Sequence, residues 1–231
     1  MKTTRIWERT SRLYLLPFRY PALWGLSGAY AAVLYVALLR AGLLEIESPF
    51  WVLSVGALLL VSPLYHALLL PATAGALRGE RADWRGVLST AAVAYPRLLI
   101  GELIVGAAAA AGGMLLLIPG VYVGLRLVYY KQAIVLDGLP CTAALRRSME
   151  RTIEWRPIAR LFSHFVVLYG GALGADWLLA VYASNTALHI GSVVASALLL
   201  GWLNVLVTAS YVRRRDDEAA STARDEPTAR R

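Results

Sequence analysis

Apolar runs alternate along the chain with arginine-rich segments. Each run is close to the roughly 20 residues that a helix needs, at about 1.5 Å per residue, to cross a hydrocarbon core of about 30 Å. The pattern predicts six transmembrane helices, at Ala22 to Ala41, Phe50 to Leu70, Tyr95 to Ile118, Val121 to Leu136, Ile158 to Tyr182 and Leu188 to Val212. The fourth is short while the third and fifth are long, a mismatch that tilting and snorkelling absorb. The turn Pro119-Gly120 makes the third and fourth antiparallel neighbours. The expected fold is an all-α polytopic membrane helix bundle of six transmembrane helices, a single domain over residues 1–212. A tail, 213–231, follows it, and its mixed charges without apolar period predict disorder.

A second pattern lies between the spans. In "TAALRRSMERTIEW" the residues Leu145, Met149 and Ile153 fall at i, i+4 and i+8, while Arg146, Arg147, Glu150, Arg151 and Glu154 cover the other side. Such a helix belongs in the interface plane, with Arg146, Arg147 and Arg151 near anionic lipid, unless it docks on the bundle instead. "RIWERTSRLY" and "DWRGVLSTAAVAY" have the same architecture less clearly, with Asp83 as the N-cap of the latter. The openings "FRYP", "YPR" and "WRP" each combine an aromatic, an arginine and a proline, a weak internal repeat that interface chemistry alone would also produce.

Charge then orients the bundle. The amino-terminal segment, Leu77 to Ala94, Asp137 to Pro157 and the tail hold almost all the Arg and Lys, whereas Gly42 to Pro49, Pro119-Gly120 and Ala183 to Ala187 hold none. By the positive-inside rule both termini are cytoplasmic, the amphipathic helices lie on the cytoplasmic face, and the chain sits in a plasma or inner membrane. A composition of 58% hydrophobic and 16% charged residues is outside the usual globular balance. The net charge of +8 is confined to alternate loops and the tail, which disfavours a nucleic-acid surface. The single cysteine, Cys141, cannot form an intramolecular disulfide and has no Cys/His spacing for zinc, so neither a metal nor a cofactor is expected. Met1 to Tyr20 carries arginine throughout and lacks a cleavable apolar core, leaving the first span as the insertion signal.

The stretch from Leu115 to Ile158 contains an "IPG" turn (Ile118 to Gly120), an arginine inside the following span (Arg126), a "VLDG" turn (Val135 to Gly138) and "ALRRS" (Ala144 to Ser148). In these elements the chain resembles the membrane-domain-like proteins named after glycerophosphoryl diester phosphodiesterases, together with related multi-pass families. The resemblance implies a non-catalytic membrane module. It carries over no catalytic residue, and the soluble phosphodiesterase domain that gave the family its name has no counterpart here.

The sequence has no GxSxG elbow, HExxH, P-loop or GxGxxG. "DGLPCTAALRR" departs from the CDP-alcohol phosphatidyltransferase motif, because Pro140 and Cys141 follow the opening and no paired aspartates come after. Ser62 and His66 share a helical face, but without an orienting acid the spacing suits a structural hydrogen bond. More informative are the charges inside the spans, each costing roughly 2.5 to 3.5 kcal/mol and therefore expected to be paired. Glu102 and Lys131 lie roughly 10 Å and 8 Å from the inner boundaries of their spans, so they can pair, with His66 a second partner for the acid. Arg126 and Asp176 each lie roughly 9 Å from the outer boundary. Together these five form a candidate intramembrane polar site. Small residues at Gly106 to Gly113, Gly120/Gly124 and Gly170/Gly174 predict that the third, fourth and fifth spans form the core. Three functions fit this pattern. They are a non-enzymatic module that contacts membrane lipids or organises a membrane protein partner or a second copy, a transporter or channel using the intramembrane charges, and, with least support, a lipid-modifying enzyme.

Overall fold

The computed structural model describes residues 20–42, 49–80, 83–115, 117–153 and 186–225, with short helical pieces between 159 and 174. Among the described residues the regular elements are all α-helical: α1 (Pro21–Gly42), α2 (Pro49–Leu77), α3 (Trp84–Leu115), α4 (Leu117–Arg126), α5 (Tyr130–Leu136), α6 (Cys141–Arg151) and α7 (Thr186–Asp225). Two stretches, Leu59–Leu77 in α2 and Trp84–Ala108 in α3, are long and apolar enough to cross a membrane.

Local chemistry explains the boundaries. Helices α1 and α2 open on Pro21 and Pro49, where a missing N–H costs nothing. The last turn of α2 closes with Glu80 N donating to Gly75 O and Gly79 N to Ala76 O, a paired arrangement that needs the left-handed backbone of Gly79 at φ +77°. Asp83 caps α3, its Oδ1 accepting from Arg85 N at 3.2 Å. Rather than a separate interfacial helix, the segment from Trp84 is the beginning of α3, which continues through Pro96 without a break.

Helix α2 is the hub. One side packs on α1 and α7, burying Leu23, Tyr65, Leu69 and Val205. The other meets α3 and α5 around Leu70, Leu98, Tyr130 and Ile134. At the α1–α7 contact a Cβ on Gly201 would come within 2.8 Å of Ser27 Cβ and 3.0 Å of Tyr65 OH, so only glycine fits. Of the small residues expected to bring the third, fourth and fifth spans together, those of the fifth belong to a segment, Ile158 to Tyr182, that lies mostly outside the described residues. Among the described residues, Gly106 and Gly124 have nothing within 4 Å of an added Cβ, whereas Gly101, against Tyr130 at 3.1 Å, and Gly201 make the close approaches.

The segment after α3 departs further from expectation. Arg97 Nη1 donates to Gly138 O at 2.7 Å and Gly101 faces Tyr130 and Ile134, so the chain does reverse. Pro119 and Gly120, however, belong to the first turn of α4, where proline is tolerated because the amide has no helical acceptor. The predicted fourth span is two helices, α4 and α5, parted by a turn at 127–129. The tail also differs, since α7 continues as helix to Asp225 instead of becoming disordered after Val212. Opposite charges at helical spacing, such as Arg213 and Asp217 at 4.0 Å, ion pairs of Arg215 and Glu218 with the bundle, and the hydrogen bond from Arg214 Nη1 to Arg151 O support that extension.

Candidate functional site

Three ionisable side chains from three helices meet where α2, α3 and α5 pack. Lys131 Nζ, from the first turn of α5, lies 3.0 Å from Glu102 Oε1 of α3, and His66 Nδ1 of α2 lies 3.1 Å from the same oxygen. Neither contact makes a hydrogen bond to Oε1, so both are mainly electrostatic. His66 is fixed by its own helix. Its Nδ1 is 2.8 Å from Ser62 O, and because a carbonyl can only accept, Nδ1 carries the proton. That leaves Nε2, 3.2 Å from the Lys131 ammonium, to accept from it. The result is a closed group of one carboxylate, one ammonium and one neutral imidazole, roofed by the Tyr65 ring at 5.1 Å from that of His66.

Residue types and helix registers explain the meeting. Gly101 lets Tyr130 and Ile134 lie against the α3 backbone, and the next residue, Glu102, then falls beside Lys131. Glu102, Lys131 and His66 of the predicted polar site are thus brought together. Arg126 is not among them. It ends α4, and its Nη1 donates to Thr152 O at 2.8 Å, with the guanidinium 6.0 Å from the Tyr122 ring centre. Asp176 lies outside the described residues. Among the described residues no group of three His, Cys, Asp or Glu side chains is placed to hold a metal ion.

A second polar cluster, which the sequence did not single out, surrounds the break between α4 and α5. The carbonyl of Arg126 accepts from Ser148 Oγ at 2.9 Å and from Thr152 Oγ1 at 3.0 Å, and Tyr129 N donates to Ser148 Oγ at 3.1 Å. Helix α6 therefore supplies the hydrogen bonds that the interruption removes, burying Ala144, Ser148 and Arg151 to do so. Four short stretches between Ile118 and Ser148 all serve this unit. The "IPG" residues open α4, Arg126 holds the end of α6, Gly138 at φ +67° turns the chain, and Ala144 and Ser148 form the docking face. The polar run Tyr129 to Gln132 inside an otherwise apolar stretch was the available signal.

The interface arginines divide between the two placements that the sequence left open, the interface plane and the bundle. Arg146 points outward and pairs with Glu150 at 3.1 Å, but Arg151 is 3% exposed and, with Arg147, is turned toward Glu218 of α7. Of the apolar stripe, Leu145 packs inward, while Met149 and Ile153 are 44% and 71% exposed. Asp137 completes this end, accepting from Tyr211 OH and lying 3.6 Å from Arg215. Cys141 opens α6, and partial burial pushes its thiol up, away from a reactive thiolate. Comparison with protein families, curated proteins and solved structures finds no match for this chain.

Proposed function

We propose that the chain is a six-span membrane protein with both termini cytoplasmic, acting as a non-enzymatic module that contacts lipid or organises a membrane partner. The observation that carries this reading is α3. Trp84–Ala108 is apolar enough to span a bilayer, yet only 22% of it is buried. The core helix of a soluble protein with that composition would be largely covered, whereas Leu88, Val93, Ile100, Leu103 and Ile104 face outward. Hydrocarbon is the environment that suits them.

Closure of the polar group supports a module over a carrier, because a transporter needs its intramembrane charges beside a water-filled cavity. His66, Glu102 and Lys131 instead lie against one another, with the ammonium 3.0 Å and the imidazole 3.1 Å from the carboxylate. The local resemblance of Leu115 to Ile158 to non-catalytic membrane modules points the same way. A small-solute or lipid transporter is the second reading, and the interrupted α4–α5 segment favours it, since such proteins build sites at broken helices. Against it, Ser148 and Thr152 already occupy the backbone groups exposed by the break.

Reporter fusions test the topology. Those at the amino terminus, near Asp83, near Glu150 and after Arg215 should report cytoplasm, and those near Glu47 and Asn185 the outside. An exported reporter at Glu150 would sink the six-span arrangement. Lipid that co-purifies stoichiometrically supports the module, and a solute-dependent thermal shift supports the transporter.

A further inference from the structure

Arg147 and Arg151 lie at i and i+4 on α6 and converge on a single carboxylate. Glu218 Oε2 accepts from Arg147 Nη2 at 2.7 Å and from Arg151 Nη2 at 2.8 Å, and Oε1 accepts from Arg151 Nε at 3.1 Å. Two guanidinium groups aimed at one anion make the geometry that binds phosphate oxygens as readily as carboxylate oxygens. Arg151 is also rigidly held. It is almost fully buried, its guanidinium carbon lies 4.3 Å from the centre of the Tyr211 ring, and its carbonyl accepts from Arg214 Nη1.

Two further observations bear on what the pair binds. Arg151 Nη1 is buried and makes no hydrogen bond, with its nearest carboxylate, Asp137 Oδ2, at 3.9 Å. Glu218 therefore leaves one donor of the buried guanidinium unused. Glu218, for its part, is carried on a helical extension whose Arg213, Asp216, Asp217 and Ala219 are exposed and whose Arg215 and Glu218 meet the bundle through ion pairs. Contacts of that kind are screened by salt and exchange readily. Without Glu218, Arg147 and Arg151 keep only longer contacts, to Glu150 at 3.8 Å and Asp137 at 3.9 Å, so a buried guanidinium would need a replacement anion.

We propose that Arg147 and Arg151 form a clamp for the phosphate of an anionic lipid headgroup, and that Glu218 occupies it as an internal substitute, so headgroup binding and tail docking exclude one another. This rests on the membrane reading above, which places α6 at the cytoplasmic surface. Met149 and Ile153, exposed on the same helix and its end, supply the apolar contact that would hold the clamp at headgroup level.

The experiment compares the full chain and Glu218→Gln in mild detergent, reading by native mass spectrometry the retention of dioleoylphosphatidylglycerol against dioleoylphosphatidylcholine. The variant should shift the preference toward phosphatidylglycerol about three- to tenfold, the range that loss of one partly exposed competing ion pair allows. Adding Arg147→Gln should abolish the gain. An unchanged preference, or an equal gain for both lipids, overturns the proposal. Should the variant fold poorly, the unaltered chain decides the matter: phosphatidylglycerol must speed amide exchange across residues 213–225, and no change overturns it. Displacement of the lipid by inorganic phosphate would keep the clamp and overturn the lipid assignment. Release of the chain from membranes by alkaline carbonate would remove the membrane reading, while the response to inorganic phosphate would still test the clamp itself.

Discussion

Taking Glu102 and Lys131 out of water costs several kcal/mol for each ion, and their attraction at 3.0 Å returns about 5 kcal/mol at an effective dielectric of about 20. The two terms are close to cancelling, so the group specifies which helices meet more than it stabilises them. Neutralising one member breaks that balance. Glu102→Gln leaves the Lys131 ammonium facing only His66 and should lower stability by roughly 3 to 5 kcal/mol, while Glu102→Leu combined with Lys131→Met should recover most of it. Thermal unfolding of the three variants measures this, and strictly additive effects would show that the charges are not coupled. Gly201 offers a steric counterpart. Gly201→Ala must push Ser27 and Tyr65 apart and should cost about 1 to 3 kcal/mol, with a matching loss of the 3.1 Å Ser27–Tyr65 hydrogen bond. At this scale the pairing of Glu102 with Lys131 and His66 was legible, because depth along a helix follows from counting residues. The role of Gly201 was not, since glycine frequency says nothing about which helix lies opposite.

Among the elements, α6 illustrates how an amphipathic pattern can mislead about which face is buried. Its apolar stripe reads as the packing face, yet the residues that dock are Ala144, Ser148 and Arg151, because small and polar side chains are what the interrupted backbone of α4 and α5 requires. Ser148→Ala should remove two hydrogen bonds and strand Tyr129 N, at about 1 to 3 kcal/mol, with faster amide exchange at Tyr129 as the local signature. Unaltered exchange there would show that the break is held by Thr152 alone. Existence of the helices was readable from hydropathy. The break was harder, since a run of apolar residues with Tyr129 to Gln132 inside it satisfies the length rule for a span even though its backbone turns.

For the whole molecule, α2 joins the two halves of the core, and the α7 extension fastens to α6 by charge. Burial pulls the Glu218 carboxyl up, but the hydrogen bonds and charge of Arg151, with the charges of Arg147 and Arg214, outweigh it and hold the group below its ordinary 4.5. A carboxyl with a depressed value in the folded state contributes stability that is fully present above its unfolded value and is lost as pH falls through the folded one. Spin labels replacing Glu150 and Ala219 should therefore keep their separation down to about pH 5 and move apart below about pH 4.5. A distance independent of pH would mean that the extension is held by something other than Glu218. Disorder was expected here because 213–225 has no apolar period. The helix persists through ion pairs to a distant part of the chain, a relation that local composition does not carry.

The stitching of α4 to α5 by α6 also bears on how the chain is made. Arg126 O and Tyr129 N are synthesised before Ser148, the side chain that satisfies both, and at about 5 to 20 residues per second the gap is roughly one to four seconds. On the membrane reading proposed above, that half-made hairpin carries backbone groups that pair only once α6 arrives, so releasing it to lipid before then is penalised. It should therefore stay beside the insertion machinery until α6 emerges. Ribosome-arrested chains ending shortly after Asp137 should crosslink to that machinery, and chains extended well beyond Thr152 should not.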